Sequence, residues 1–224
     1  MTLSEDRLTR HWSTGGMPLR VYDFTIKHAR LFRLESRIVW GTDVRAFYAE
    51  LESLQNVPAG SSVLDVPSGG GVALRELKPD TPIRYVAADV SEFMLRRAQT
   101  TAARHGLTNI EYVHTNVERM PFDDATFDLC VSYNGLHCFA HPPAALAEMA
   151  RVVRPGGELR GTAVVTGGSA LSAKAIAWFR RTDQFGPVGS IEDVEGWLVD
   201  AGFDDLRLDR RGAYLYFKGR RGHT

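Results

Sequence analysis

Cysteine is nearly missing: Cys130 and Cys138 are the only two in a chain of 224 residues. Their spacing, with Cys130 inside the apolar run Phe127-Asp-Leu-Cys-Val, supports neither a disulfide framework nor a zinc site. An excess of one charge is missing too, since Lys+Arg and Asp+Glu stand at 27 each. That balance removes the electrostatic footprint of a general nucleic-acid binder, and Lys218-Gly-Arg-Arg reads as a solvated basic tail. No run is long enough to span a bilayer, and MTLSEDRLTRHWS has charges where a leader peptide needs an apolar stretch. Internal repeats and low-complexity segments are absent. These absences point to a soluble cytoplasmic protein, monomeric or homodimeric, with no metal, no nucleic-acid partner and no stable membrane insertion. What is present is 44% hydrophobic content, sufficient for one sizeable core.

The chain reads in two sections. Residues 1–60 form a helical N-terminal extension. From Asp43 onward, Val44, Phe47, Tyr48, Leu51 and Leu54 share a face, with Thr42 as the N-cap. Val21 to Trp40, dense in aromatic and basic residues, is a further expected helix. In residues 61–224, strands and helices alternate. Strands are expected at 62–66, 83–89, 110–114, 127–132 and 158–165. Between them lie a short helix after the glycines, a helix N-capped by Ser91, and a helix from Pro142-Pro143 that stops at Arg154-Pro-Gly-Gly. Such alternation implies βαβ units and a mostly parallel sheet. A capping-box pattern at Ser190 opens a last helix. Strands at 203–208 and 213–218 follow, with only Asp209-Arg-Arg-Gly between them. So short a link excludes a parallel crossover, so these two pair as an antiparallel hairpin.

The stretch VLDVPSGGG, Val63–Gly71, ends a short buried strand in an acid, a proline and three glycines. Glycines let the backbone turn sharply and approach a ligand with no side chain in the way, and doubly wound sheets bind ligands at the carboxyl ends of their strands. A dinucleotide site requires G-x-G-x-x-G, but Leu74 stands three residues after Gly71. That disfavours a nucleotide-dependent oxidoreductase. A P-loop is excluded more firmly, because no Gly-Lys-Ser/Thr follows. What remains is Asp65, four residues before Gly69, and Asp89, which ends the next strand in Ala-Ala-Asp-Val-Ser.

With these residues the sequence resembles the class I S-adenosylmethionine-dependent methyltransferases, over residues 60–218. VLDVPSGGG is similar to the family's hydrophobic-D-x-G-x-G-x-G loop, and AADVSEFMLRRA to its second-strand acid followed by S-x-x-M-L. NVERMPFDDATFDLCVSYNGLHCF resembles D-x-E-x-L-P-F-x-D-x-S-F-D-x-V, and ALAEMARVVRPGG resembles E-x-x-R-V-L-K-P-G-G. The resemblance implies an α/β fold: a Rossmann-like, doubly wound, mostly parallel seven-stranded sheet with an antiparallel edge hairpin, plus N-terminal helices. It implies S-adenosyl-L-methionine as cofactor, with Asp89, next to Val90, accepting from the ribose hydroxyls. Ser68, Gly69 and Gly71 would place backbone against the methionine part, and Asp65 would hold its ammonium or orient the loop. Met94 is placed either on adenine or in the core. Asn116-Val117-Glu118 falls at the adenine amino group, while Asn134 and Gly135 would line the sulfonium end. Two positions depart from the pattern. Pro67 replaces the first glycine of the loop, and Asn116 replaces the usual Asp, though its carbonyl still accepts from an adenine amino group.

Methyl transfer from a sulfonium needs an in-line nucleophile, with a general base only where the acceptor carries a proton to lose. His137 is the candidate base, or else a loop residue bonded to backbone. His141 is either a second candidate beside the acceptor or a helix-start residue. A small-molecule or lipid-like acceptor would be held by segments outside the core motifs. These are the N-terminal section with Tyr22, Phe32 and Trp40, and a lid insertion at 166–189 with Lys174, Trp178, Phe179, Arg180 and Arg181. The insertion reads equally as a core helix with a solvated basic face. A competing reading keeps Asp89 and the glycines without catalysis: a cofactor-binding module acting as sensor or assembly partner.

Overall fold

In the computed structural model, residues 36–223 and Trp12 are described, so Tyr22, Phe32 and the expected helix up to residue 35 lie outside the described residues. Seven segments form strands: β1 (Ser62–Asp65), β2 (Arg84–Asp89), β3 (Ile110–His114), β4 (Phe127–Tyr133), β5 (Val153–Val164), β6 (Phe203–Arg211) and β7 (Tyr214–Arg221). They make a single sheet in the order β3-β2-β1-β4-β5-β7-β6. The five from β3 to β5 are parallel, whereas β7 is antiparallel to both β5 and β6. The direction of winding reverses at β1 and β4, and the crevice between their carboxyl ends is where this topology opens.

Among the described residues, five α-helices pack on the sheet: α1 (Val44–Glu52), α2 (Glu92–Arg104), α3 (Pro142–Val152), α4 (Ala170–Arg181) and α5 (Ile191–Asp200). Alternation along the strands divides the core into two layers. Leu64, Val86 and Cys130 face one way, where Leu146 and Met149 of α3 and Val194 and Leu198 of α5 meet them. Val63, Tyr85 and Leu129 face the other way, against Leu51 of α1, Ala98 of α2 and Ile176 of α4. β1 is buried at all four positions, as expected of a central parallel strand covered on both faces.

Local signals set most helix starts. Ser91 caps α2 through Met94 N, Pro142 and Pro143 open α3, and Ser190 and Asp193 form a reciprocal capping box on α5. Four expectations need correction. Asp43, not Thr42, caps α1, its carboxylate accepting from Arg45 N at 3.0 Å. The expected helix after the glycines is only a 3₁₀ turn, Ala73–Glu76, because Pro79 disfavours helix at Lys78 just beyond it. β5 begins at Val153 rather than Glu158: Val153 pairs with Phe127, Glu158 with Leu129, and Arg154–Gly157 bulges between them. Lys218–Arg221 is no solvated tail. It belongs to β7, where Lys218 pairs with Glu50 at 3.0 Å and Arg221 donates to Ala150 O and Gly202 O.

Candidate functional site

The glycine loop is held from three sides. Ser68 N donates to Ala88 O, Gly71 N to Ser68 O, and Thr101 of α2 donates to Gly70 O. Gly71 adopts φ +76°, and a Cβ there would lie 2.9 Å from Leu74 Cδ1 and 3.1 Å from Ala98 Cα. Only glycine combines that conformation with so close a seat on α2. Gly69 N donates to Asp89 Oδ2 at 2.8 Å, and Ser91 N donates to Asp89 Oδ1 at 2.8 Å. The Asp89 carboxylate therefore ties the loop after β1 to the end of β2. Burial raises its pKa to about 6, against the lowering effect of those two backbone N–H groups. Asp65 is buried one layer behind, accepting from Tyr85 OH at 2.8 Å, and burial raises its pKa to about 7.

A cleft with about 440 Å³ of unoccupied space opens at these strand ends. Val66 and Pro67 after β1, Asp89 and Val90 after β2, Thr115–Glu118 after β3 and Cys138–Ala140 after β4 line it, together with Trp12. Apolar walls with a few polar groups are the usual lining of small-molecule clefts. Asn116 forms an Asx turn, its Oδ1 accepting from Glu118 N at 3.0 Å. Glu118 then reaches across to His141, accepting from its backbone N at 3.0 Å and lying 3.1 Å from its Nδ1.

Of the expected cofactor residues, the structure brings together Asp89, Val90, Asn116, Val117 and Glu118. Asp65, Ser68, Gly69, Gly71, Asn134 and Gly135 are not among the residues that line it, nor is Met94, which is buried in α2. Trp12, Thr115, Phe139 and Ala140 are lining residues that motif reasoning missed. Trp12 carries no signal beyond being an aromatic in a charged segment.

Past β4 the chain turns at Asn134, φ +59°, whose Oδ1 accepts from Thr162 Oγ1 at 3.1 Å and from Tyr214 OH. His137 follows in the turn Leu136–Cys138. Its Nδ1 accepts from Val164 N at 3.0 Å, and its ring meets Phe185 edge-on at 4.4 Å. Burial lowers its pKa to about 3. A neutral imidazole with its Nδ1 lone pair occupied carries its proton on Nε2, so neither nitrogen is free to take another. The geometry is that of a backbone-bonded loop residue rather than a base.

The unfolded imidazole titrates near 6.5 and the folded one near 3, so His137 contributes stability that is full above about 6.5 and lost as pH falls. His137→Ala strands Val164 N–H at a cost of about 1–3 kcal/mol at neutral pH. In urea melts the gap to the parent protein narrows below about pH 6.5. A gap independent of pH would show that the imidazole is not held neutral.

The expected acceptor residues separate. Trp40 is buried and stacked on Phe179, with ring centroids 6.1 Å apart, and Phe179 stacks on Phe185 at 4.7 Å. Trp178 and Arg181 point to solvent instead of into the cleft. His141 stands at the start of α3, paired with Glu118.

Comparison with known proteins bears on this geometry. A model of the methyltransferase domain matches residues 63–157, from β1 into the bulge of β5. The phthiotriol/phenolphthiotriol dimycocerosates methyltransferase of Mycobacterium leprae is 35% identical over 102 residues, 45% of this chain and 37% of that protein. The ubiquinone/menaquinone biosynthesis C-methyltransferase UbiE of Hahella chejuensis is 40% identical over 107 residues, 46% of this chain and 43% of its own length. The chain thus spans less than half the length of these curated relatives in the matched region. Among solved structures, the phosphoethanolamine N-methyltransferase 2 of Haemonchus contortus in complex with S-adenosyl-L-methionine superimposes with a TM-score of 0.74. That likeness covers 100% of this chain and 61% of the other at 14% identity, a similarity of fold. The matched region contains every strand that ends in the cleft, and residues 63–157 are those of a methyltransferase domain.

Proposed function

We propose that this chain binds S-adenosyl-L-methionine in the cleft and transfers its methyl group to an apolar, lipid-like or quinone-like acceptor. The carrying observation is Asp89, a buried carboxylate that lines the cleft while bonded to Gly69 N and Ser91 N. A carboxylate fixed by two donors has its remaining lone pairs set in direction, which suits a vicinal diol. Asn116 offers an amide to an adenine edge, and Val66, Val117 and Phe139 give apolar walls for a purine. Once bound, the cofactor supplies an electrophilic methyl group. The protein's part is to orient it, exclude water and hold an acceptor in line. The named relatives support the acceptor class, one acting on phthiotriol and phenolphthiotriol dimycocerosates and one in ubiquinone and menaquinone biosynthesis.

Calorimetry with S-adenosylhomocysteine and with NAD tests the binding, and only the former is expected to give heat. A screen of lipids and quinols for release of S-adenosylhomocysteine tests the transfer. Binding without release from any acceptor would favour the second reading, a non-catalytic sensor or assembly module. The occupied lone pair of His137 is the observation that favours it.

Affinity also carries a pH signature. Asp89 titrates near 6 in the free protein, and its ionised form is the better acceptor for ribose hydroxyls. Affinity for S-adenosylhomocysteine is therefore expected to level off above about pH 7 and to fall below about 6, approaching tenfold per unit. Unliganded stability runs the other way. Both buried carboxyls have raised pKa values, so stability falls as pH rises from about 4 through 6 and 7. Calorimetric titrations between pH 5 and 8 with constant affinity would remove Asp89 from the binding site.

A further inference from the structure

Among the described residues, four large hydrophobic side chains are exposed: Ile38, Leu171, Trp178 and Val199. Three of them gather around α4. Leu171 and Trp178 lie on it at 45% and 56% exposure, and Ile38 belongs to the turn Ser36–Trp40, whose Trp40 stacks on Phe179 of α4. The inward face of α4 is already satisfied by Ser172, Ile176 and the half-buried Phe179. Leu171 and Trp178 stand seven residues apart, hence on one side. Lys174 and Arg181 fall three and ten residues after Leu171, on the same stripe. Ala170, Ala173 and Ala177 keep the surface beside the cations low. The helix reads ALSAKAIAWFRR: three cations and no acid.

We propose that this face of α4 docks the protein onto an anionic lipid surface. A helix with Trp and Leu beside Lys and Arg lies in the plane of the interface, its rings at the headgroup level and its cations among anionic headgroups. Such docking is peripheral. No helix among the described residues is long and apolar enough to cross a membrane. The face is also wired to the cleft. Trp178 meets Phe179 at 4.9 Å, Phe179 meets Phe185 at 4.7 Å, and Phe185 meets His137 at 4.4 Å. The next residue, Cys138, lines the cleft. A docked molecule would present the loop after β4 close to the bilayer, where an apolar acceptor dissolves.

The docking needs neither cofactor nor acceptor, so it is tested apart from methyl transfer. The full chain is sedimented with phosphatidylcholine vesicles with and without phosphatidylglycerol, at low and high salt. Partition into the phosphatidylglycerol vesicles, weakened by salt, is expected. Each cation near the surface is worth about fivefold, so Lys174→Ala with Arg181→Ala lowers partition by more than about tenfold. Trp178→Ala is expected to lower it as well and to remove the blue shift of tryptophan fluorescence that docking should produce, while Val199→Ser on α5 changes nothing. These side chains are exposed, and unchanged thermal melts confirm that the variants fold. Equal partition into pure phosphatidylcholine, or partition indifferent to these variants, would overturn the proposal. So would a failure to bind vesicles with a concentration-dependent dimer that Trp178→Ala dissolves, which would assign the face to a second copy of the chain.

Discussion

Asp89→Ala is expected to lower affinity for S-adenosylhomocysteine by about a hundredfold or more, the loss of two charge-assisted hydrogen bonds of about 1.5–3 kcal/mol each. The substitution also strands Gly69 N and Ser91 N, both at 2.8 Å from the carboxylate. Two orphaned donors by themselves cost about 1–3 kcal/mol each. Against this, a buried carboxylate whose pKa is raised to about 6 is itself unfavourable when ionised, and its removal returns part of that loss. The net destabilisation at neutral pH is therefore modest beside the loss of binding. Asp89→Asn separates the two effects, since its carbonyl keeps one backbone donor. It should melt closer to the parent and still bind poorly. Calorimetry showing parental affinity in either variant would overturn the site assignment.

Gly135→Ala is the second large expected loss. Its φ of −90° is ordinary for any residue, so backbone strain plays no part. The obstacle is space: a Cβ would lie 2.3 Å from Pro67 Cδ, 2.6 Å from Ser132 Oγ and 2.9 Å from Phe139 Cζ. Pro67 and Phe139 both line the cleft, so relieving the clash shifts two neighbouring residues of its wall. Overpacking of this kind costs about 1–3 kcal/mol, and S-adenosylhomocysteine affinity falls with it. Gly196→Ala on α5 is the control, because nothing lies within 4 Å of its Cβ. It is expected to be neutral or stabilising by up to about 1 kcal/mol. Undiminished binding and melting in Gly135→Ala would show that the two loops are not packed as described.

The central sheet was legible because its strands are short apolar runs separated by strong punctuation. The short Asp209-Arg-Arg-Gly stretch admits only a hairpin, although Asp209–Arg211 prove to extend β6 and the turn itself is Gly212-Ala213. What misled was punctuation without a stop. Pro155 and Gly156 read as the end of a segment, yet they bulge within a ladder already begun at Val153. The polar half of the cleft was legible as well, since Asp89 and Asn116 sit at strand ends inside recognisable motifs. Its remaining wall was not, because Trp12 arrives from a segment with no pairing signal. Trp178 and Phe179 are adjacent and both aromatic, so composition cannot say which of them turns inward. The phase set by Ser172 and Ile176 decides it, and it sends Trp178 out. Nor does any local pattern reveal that Tyr214 bonds Asn134, eighty residues away.

The position of β7 between β5 and β6 has a consequence for biosynthesis. Strand β6 is synthesised before the neighbour that will bind it, so for a time both of its backbone edges are bare. In the finished sheet one edge of β6 has no neighbour among the described residues, since β6 is terminal. Its sequence, FDDLRLDRR, places charges at six of nine positions. Charged side chains discourage a bare strand from annealing to another chain. The same residues thus guard the nascent strand against aggregation and later keep finished molecules from joining edge to edge.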